Sequence, residues 1–299
     1  MSHQAPQIQG NMKPKDFEQF WAGIENDLKS VNSTPELKEL TIRSKPQFTV
    51  YGLWLTSVKG YRIFAYYSVP RGEGPFPVIY HLPNYGSVVH IPPFEERCKY
   101  ICVALCHRGQ RLSDDTFTAA YPGLLTLGID AANSYIYRDI AGDCLSVMDF
   151  LKGREEVDVE RICLLGGELA LWTAARRSEA AALHYTPSLH YNSLKRASQT
   201  SNYPLEEFND HLRSSASARE SVEKTLSYFE PAHHAPKVQM PIMLVEDSEG
   251  YCDALVDAFA GPVVKVPFQH SSYRDGVRQA NWIAEKLTNG QPILPDHWC

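Results

Sequence analysis

The fold is decided by one stretch, Arg161-Ile-Cys-Leu-Leu-Gly-Gly-Glu-Leu-Ala-Leu171. An apolar run from Ile162 to Leu165 ends at two glycines, and the segment from Glu168 to Ala175 that follows is rich in helix-forming residues. A buried strand that turns sharply into a helix is the setting of a nucleophile elbow, whose usual pattern is Gly-x-Ser-x-Gly. Glu168 occupies the serine position here. The sequence therefore predicts the backbone of an elbow without its hydroxyl nucleophile.

Strand-like and helix-like segments alternate on both sides of this stretch. The predicted strands are two around the Lys59-Gly60 turn within 48–70, then 77–81, 100–105, 241–245 and 263–267. The predicted helices are 13–30, 139–151, the elbow helix, 205–228 and 274–287. This alternation predicts an α/β fold, a mostly parallel central sheet with helices on both faces. We expect a single domain over 1–299, with an N-terminal helical or extended arm (about 1–45) packed on it and an extended tail at 291–299.

Composition narrows the class of protein. The chain has 299 residues, is 43% hydrophobic and carries a net charge of −6 without a basic block, which argues against nucleic acid and membrane as partners. It shows no signal peptide at its start, and its seven cysteines lack C-x-x-C spacing, so we predict reduced thiols and a cytoplasmic location. No phosphate loop, dinucleotide fingerprint or metal triad is present, so neither a cofactor nor a metal is expected.

Six stretches of this chain carry a family resemblance. They are Asp16-Phe-Glu-Gln-Phe-Trp21, His81-Leu-Pro-Asn-Tyr-Gly86, Arg108-Gly-Gln110, Leu127-Gly-Ile-Asp-Ala-Ala-Asn-Ser-Tyr-Ile-Tyr-Arg138, Val157-Asp-Val-Glu-Arg-Ile162 and Thr225-Leu-Ser-Tyr-Phe229. Together they resemble the acetyl xylan esterase and cephalosporin C deacetylase group, carbohydrate esterase family seven of the α/β-hydrolases, and their order and spacing fit from about residue 12 to 288. The resemblance implies an α/β-hydrolase fold, removal of acetyl groups from sugars and related small molecules by a Ser-His-Asp triad, and a possible homo-oligomer.

The resemblance also assigns site residues, position by position. His270 matches the triad histidine and Asp247 the triad acid, although an unusual loop leaves Glu246, Glu249 and Asp253 open as the acid. The oxyanion hole of the family uses two backbone N–H groups, which correspond to Tyr85 and Leu169. The nucleophile corresponds to Glu168, and the two glycines after it correspond to Ala170 and Leu171.

The chemistry of glutamate disfavours ester hydrolysis at this elbow. Attack of the Glu168 carboxylate on an ester would form an acid anhydride, which is higher in energy than a serine ester. A carboxylate is better suited to moving a proton or to attacking a saturated carbon. Because Glu168 stands at the start of a helix, its negatively charged carboxylate could also occupy the oxyanion hole itself.

Four hypotheses follow for the function. In the first, Glu168 and His270 form an acid/base pair for a non-hydrolytic step such as elimination, isomerisation or cyclisation. In the second, the protein is a catalytically silent binding module or subunit. In the third, Glu168 is a covalent nucleophile, and in the fourth another group carries residual esterase activity. The first is slightly favoured over the second. His184 and His190, which flank Thr186-Pro-Ser188, are the best further site candidates. The remaining candidates are predicted to be structural, namely His81, His107, Arg108, Gln110 and the pair His233-His234.

Overall fold

A computed structural model describes residues 12–32, 34–247, 251–287 and 290–299. Within these ranges nine strands form one sheet. The strands are β1 Glu36–Glu39, β2 Phe48–Thr56, β3 Arg62–Pro70, β4 Phe76–His81, β5 Ile101–Cys106, β6 Val157–Gly166, β7 Ala182–Tyr185, β8 Ile242–Glu246 and β9 Val263–Pro267.

The sheet is antiparallel at one end and parallel over the rest. Its spatial order is β1-β2-β3-β5-β4-β6-β7-β8-β9. The strands β1, β2, β3 and β5 pair antiparallel in succession, and every pair from β5 to β9 is parallel. Parallel neighbours need crossover connections, which the helices supply. The predicted α/β fold with a mostly parallel central sheet is thus confirmed.

Ten α-helices lie in the described ranges. They are α1 Phe17–Lys29, α2 Phe94–Arg97, α3 Ile136–Lys152, α4 Glu168–Ala174, α5 Ser193–Ala197, α6 Glu206–Ser214, α7 Arg219–Ser227, α8 Pro231–His234, α9 Asp253–Val256 and α10 Ser272–Lys286. None of the helices in the described part of the chain has the length and apolar character that a bilayer span requires.

The two faces of the sheet carry separate apolar clusters. Val78 and Leu164 belong to the cluster covered by α3 and α4, whereas their chain neighbours Ile79 and Cys163 belong to the cluster covered by α10. Successive side chains of a strand point to opposite faces, so strands covered on both sides read as continuous apolar runs. This is why β4, β5, β6 and β8 were visible in the sequence.

Helix α1 is anchored by aromatic residues against the elbow helix. The indole Nε1 of Trp21 donates a hydrogen bond to the carbonyl of Tyr228 at 3.0 Å. Its ring lies 5.9 Å from that of Trp172 on α4 and 5.8 Å from that of Phe229. These rings bury large apolar areas against each other, so packing of the N-terminal helix α1 stabilises the position of α4.

Two local predictions differ from the structure. The helix predicted over 205–228 is two helices, α6 and α7, because Ser215 leaves the helical backbone at φ −143° and ψ 75°. The Ser214 hydroxyl donates to the carbonyl of His211, a local bond that competes with helix continuation. The strand β1 was missed because Glu36-Leu-Lys-Glu39 is a polar edge strand with no apolar alternation.

Candidate functional site

The strand-to-helix turn predicted at the elbow is present. Strand β6 ends at Gly166, and Glu168 is the first residue of α4. A Cβ at Gly167 would lie 2.9 Å from the Ser188 hydroxyl oxygen and 3.4 Å from the Thr186 carbonyl. Only glycine allows the loop after β7 to approach the turn this closely. That loop provides the partners of Glu168.

Glu168 is buried, with 4% of its surface exposed. One carboxylate oxygen accepts hydrogen bonds from the backbone N–H groups of Ser188 (2.6 Å), Leu189 (3.0 Å) and His190 (3.3 Å). The other accepts the Ser188 hydroxyl at 2.5 Å. Hydrogen bonds to an ionised carboxylate are among the stronger ones in proteins. The side chain therefore holds the loop from Ser188 to His190 in the manner of a cap, and we call this arrangement the Glu168 clamp.

His190 is packed inside the same region. Its Nε2 lies 3.0 Å from the hydroxyl of Tyr135, and its ring packs edge-on against Tyr137 and Trp172. Burial lowers the pKa of His190 to about 4, although the nearby Glu168 charge acts in the opposite direction. The imidazole is thus neutral at physiological pH.

His270 and Asp247 pair with each other at the protein surface. The Nε2 atom of His270 lies 3.2 Å from Asp247 Oδ1, and their side chains are 69% and 71% exposed. In the described ranges no hydrogen bond or ion pair joins His270 to Glu168. The structure therefore brings together the predicted histidine and acid, and it gives Glu168 separate partners.

The other acids considered for the triad have different neighbours. Glu246 is buried, accepts the Cys252 N–H at 3.3 Å and pairs with Lys265 at 3.1 Å. Asp253 also pairs with Lys265. Glu249 lies outside the described residues. Among the described acids, Asp247 is the one that contacts His270.

The space beside Glu168 is almost filled. Tyr85, Leu169, Glu168 and His190 border a cavity of about 20 Å³, which has room for about one water molecule. The Tyr85 hydroxyl donates to Glu207, so its ring is held at the rim. The two residues predicted to form an oxyanion hole do lie near the elbow, but an acyl group has no room between them.

His184 lies in a second, larger cavity of about 240 Å³, bordered also by Thr186, Ser188 and Arg278. Its ring packs edge-on against Trp282. Burial lowers the pKa of His184 to about 4, and the positive charge of Arg278 acts in the same direction. The two secondary histidine candidates therefore belong to different cavities, with Ser188 shared between them.

The Arg108-Gly-Gln110 motif braces the loops below the site, as predicted. The Arg108 guanidinium binds Asp143 through Nε (3.0 Å) and Nη2 (2.7 Å) and reaches Asp139 through Nη1 (3.1 Å). The Gln110 amide donates to the carbonyls of Asn84 and Gly86. The Gln110 bonds fix the loop that carries Tyr85, and the Arg108 bonds tie the motif to α3.

The role of Ser188 was not predicted from the sequence. Ser188 closes the clamp by its hydroxyl and its N–H, yet it belongs to no recognisable motif and stands 20 positions from Glu168. The only available signal was its place directly after the strand that follows the elbow helix.

The comparison with known proteins identifies the family. The sequence model described as acetyl xylan esterase (AXE1) matches residues 7–260. The chain belongs to the acetyl xylan esterase family. Solved structures agree with this family in fold. The acetyl xylan esterase from Paenibacillus sp. R4 is 22% identical, with a TM-score of 0.81 over 94% of this chain and 96% of that one.

Two further solved structures extend the comparison. Acetyl xylan esterase 1 from Thermoanaerobacterium sp. JW/SL YS485 is 21% identical, with a TM-score of 0.79 over 93% of this chain and 96% of that one. The 2,6-dihydroxy-pseudo-oxynicotine hydrolase is 15% identical, with a TM-score of 0.56 over 93% of this chain and 74% of that one. Both acetyl xylan esterases share the fold of this chain over nearly their whole length.

The buried histidines predict how stability depends on pH. The folded pKa of His190 is about 4, below its unfolded value of about 6.5, so the unfolded chain binds the proton first as the pH falls. The free energy of unfolding should therefore decrease from pH 6.5 to pH 4, by up to about 3 kcal/mol for this residue. His190→Gln should flatten the dependence, measured by urea unfolding at several pH values.

The exposed tail residue His297 provides the matched control. The variant His297→Gln should keep the pH dependence of the wild type. An equally steep dependence in His190→Gln would show that this imidazole does not limit acid stability.

Proposed function

We propose that this member of the acetyl xylan esterase family does not hydrolyse esters and acts as a catalytically silent binding module or subunit. The observation that carries the proposal is the Glu168 clamp. Both carboxylate oxygens are engaged, by three backbone N–H groups and the Ser188 hydroxyl. The residue at the nucleophile position thus has a structural task, which is to hold the loop after β7.

The shape of the site supports the same function. An acetyl ester would have to enter between Tyr85 and Leu169, where the cavity holds about one water molecule. The 240 Å³ cavity beside His184 remains, and Arg278 and Thr186 line it with polar groups. The cavity combines these polar groups with apolar side chains, so a small molecule that carries both kinds of group is the class of ligand that fits it.

The acid/base function is the second candidate, and one observation favours it. His270 keeps Asp247 at 3.2 Å, which is the pairing of a supported catalytic histidine. Elimination or isomerisation would require His270 to reach Glu168, and the Glu168 carboxylate would have to leave its four donors. Direct attack by Glu168 on a substrate carbon needs the same release. We therefore favour the silent binding module over both the acid/base function and the covalent-nucleophile function.

An esterase assay tests the proposal. Purified wild-type protein is expected to hydrolyse p-nitrophenyl acetate no faster than His270→Ala, because no hydroxyl nucleophile stands at the elbow. Glu168→Ser should also remain at background, since no contact joins position 168 to His270. The acetyl xylan esterase from Paenibacillus sp. R4 is the positive control.

Wild-type turnover that His270→Ala and Glu168→Ala both abolish would contradict the proposal. It would show that the Glu168 carboxylate leaves the clamp and reacts. Activity in Glu168→Ser alone would show that the rest of the triad machinery is still competent.

A further inference from the structure

Three side chains with different metal-binding atoms meet beside the end of β4. His81 Nε2 lies 2.8 Å from Glu96 Oε2. The thiol sulfur of Cys102 completes the group, and the three ligand atoms all lie within 4.8 Å of one another. We call this group the His81 cluster. It includes none of the residues of the elbow.

The fold fixes all three positions. Ile79 on β4 pairs with Cys102 on the parallel strand β5, so His81, two residues further along, points to the same face as Cys102. Glu96 comes from α2, and its carbonyl accepts the N–H groups of Tyr100 (2.8 Å) and Lys99 (3.1 Å). The helix is thus tied to the residues that lead into β5.

We propose that the His81 cluster binds a divalent transition-metal ion of the zinc class. Imidazole nitrogen, carboxylate oxygen and thiolate sulfur are the three ligand types that Zn²⁺ accepts. Three protein ligands leave one tetrahedral position for water. A thiolate and a carboxylate together neutralise the ion, which lowers the cost of holding it in a partly buried place.

The distances are close to those that the ion requires. Zinc bonds of about 2.0–2.3 Å place tetrahedral ligand atoms roughly 3.3–3.8 Å apart. The His81–Glu96 hydrogen bond would therefore open by about half an ångström. The sulfur, within 4.8 Å of both partners, would move in by up to about 1.5 Å. Side-chain rotations accommodate shifts of this size.

The solvent access of His81 and Glu96 and the position of the Cys102 sulfur favour a metal site over a structural His81–Glu96 hydrogen bond. His81 and Glu96 are 20% and 18% exposed, so an ion can reach them from solvent. Cys102 is fully buried behind them. A structural histidine–carboxylate pair needs no thiol beside it, as the pair His211–Asp130 at 2.9 Å shows elsewhere in the chain.

Cobalt(II) is the probe for this site, because thiolate ligation gives it a charge-transfer absorption in the near ultraviolet. The protein is reduced and carries Cys299→Ser to remove an exposed thiol. We expect one Co²⁺ per chain with this band, displaced by Zn²⁺. Cys102→Ser should lose the band, and His81→Ala and Glu96→Gln should each weaken Co²⁺ binding at least about tenfold.

Matched controls come from the same chain. Cys163→Ser removes another buried thiol, and His211→Ala removes a second histidine–carboxylate pair, so both variants should bind Co²⁺ like the parent. Absence of the band in the parent, or its persistence in Cys102→Ser, would overturn the proposal. If Cys102→Ser does not fold, unchanged Co²⁺ affinity in both His81→Ala and Glu96→Gln would overturn it.

Discussion

Replacing Glu168 with alanine is expected to lower the free energy of unfolding by about 3–5 kcal/mol. The change removes the acceptor of three backbone N–H groups and of the Ser188 hydroxyl. Each buried donor left without a partner costs about 1–3 kcal/mol, less what an entering water molecule restores. Urea unfolding followed by circular dichroism measures the difference.

This result would be unusual for a catalytic residue. Active-site side chains are often held at a cost to stability, so their removal tends to be neutral or stabilising. A large loss in Glu168→Ala would therefore support a structural task for the elbow residue. The exposed Glu160 is the matched control, and Glu160→Ala should leave stability unchanged within error.

Glu168→Gln separates charge from shape. The amide keeps one oxygen acceptor for the N–H groups of Ser188, Leu189 and His190, so we expect a smaller loss of about 1–3 kcal/mol. Equal stability of wild type, Glu168→Gln and Glu168→Ala would contradict the clamp, and the silent-module proposal would lose its main support.

Replacing Arg108 with methionine is expected to destabilise the protein by about 3–5 kcal/mol. Arg108 is buried and binds Asp143, which is fully buried, and Asp139, which is nearly so. Methionine has a similar length but leaves the Asp143 charge without its partner. Loss of one member of a buried ion pair is costly because the remaining charge stays out of water.

Two further variants test the reason for this loss. Arg108→Lys keeps the charge but cannot reproduce the forked contact with both oxygens of Asp143, so an intermediate loss is expected. Arg108→Met combined with Asp143→Leu should recover part of the stability, since the buried charge is then removed. Additive losses in the double variant would indicate that Arg108 acts through packing alone.

The exposed pair Arg219–Glu223 is the control for charge effects, with a distance of 3.2 Å. Arg219→Met should change stability far less than Arg108→Met, because exposed ion pairs contribute little. Comparable losses at both positions would contradict the argument from burial.

Much of the fold could be read from the sequence because its signals are local. The apolar runs of β4 and β8 and the glycines before Glu168 depend on neighbouring residues alone. The split between α6 and α7 depends on the hydroxyl of Ser214, whose hydrogen bond to a backbone carbonyl competes with continuation of the helix. Such a bond is a weaker signal in the sequence than an apolar run. Strand β1 is polar and is held by pairing with β2, so periodicity could not show it.

The candidate site was predictable only where one residue type implies one role. Arg108 and Gln110 were correctly predicted as braces, because a guanidinium and an amide in a loop must find acceptors when buried. The roles of Glu168 and His270 were taken from a pattern in which they meet. Which donors a carboxylate finds depends on the rotamer of the side chain and on loops distant in sequence.

The sequence by itself determined an α/β fold with Glu168 at a strand-to-helix turn, because strand periodicity, glycine placement and residue identity are local properties of the sequence. The more specific α/β-hydrolase assignment came from the resemblance to the acetyl xylan esterase group. Only the tertiary structure decided that Glu168 binds Ser188 and its neighbours and forms no hydrogen bond or ion pair with His270, which pairs with Asp247 as the resemblance implied. Only it brought His81, Glu96 and Cys102 together, since their spacing matches no metal motif. Contacts between distant segments follow from the packing of the whole chain, and local sequence carries little information about them.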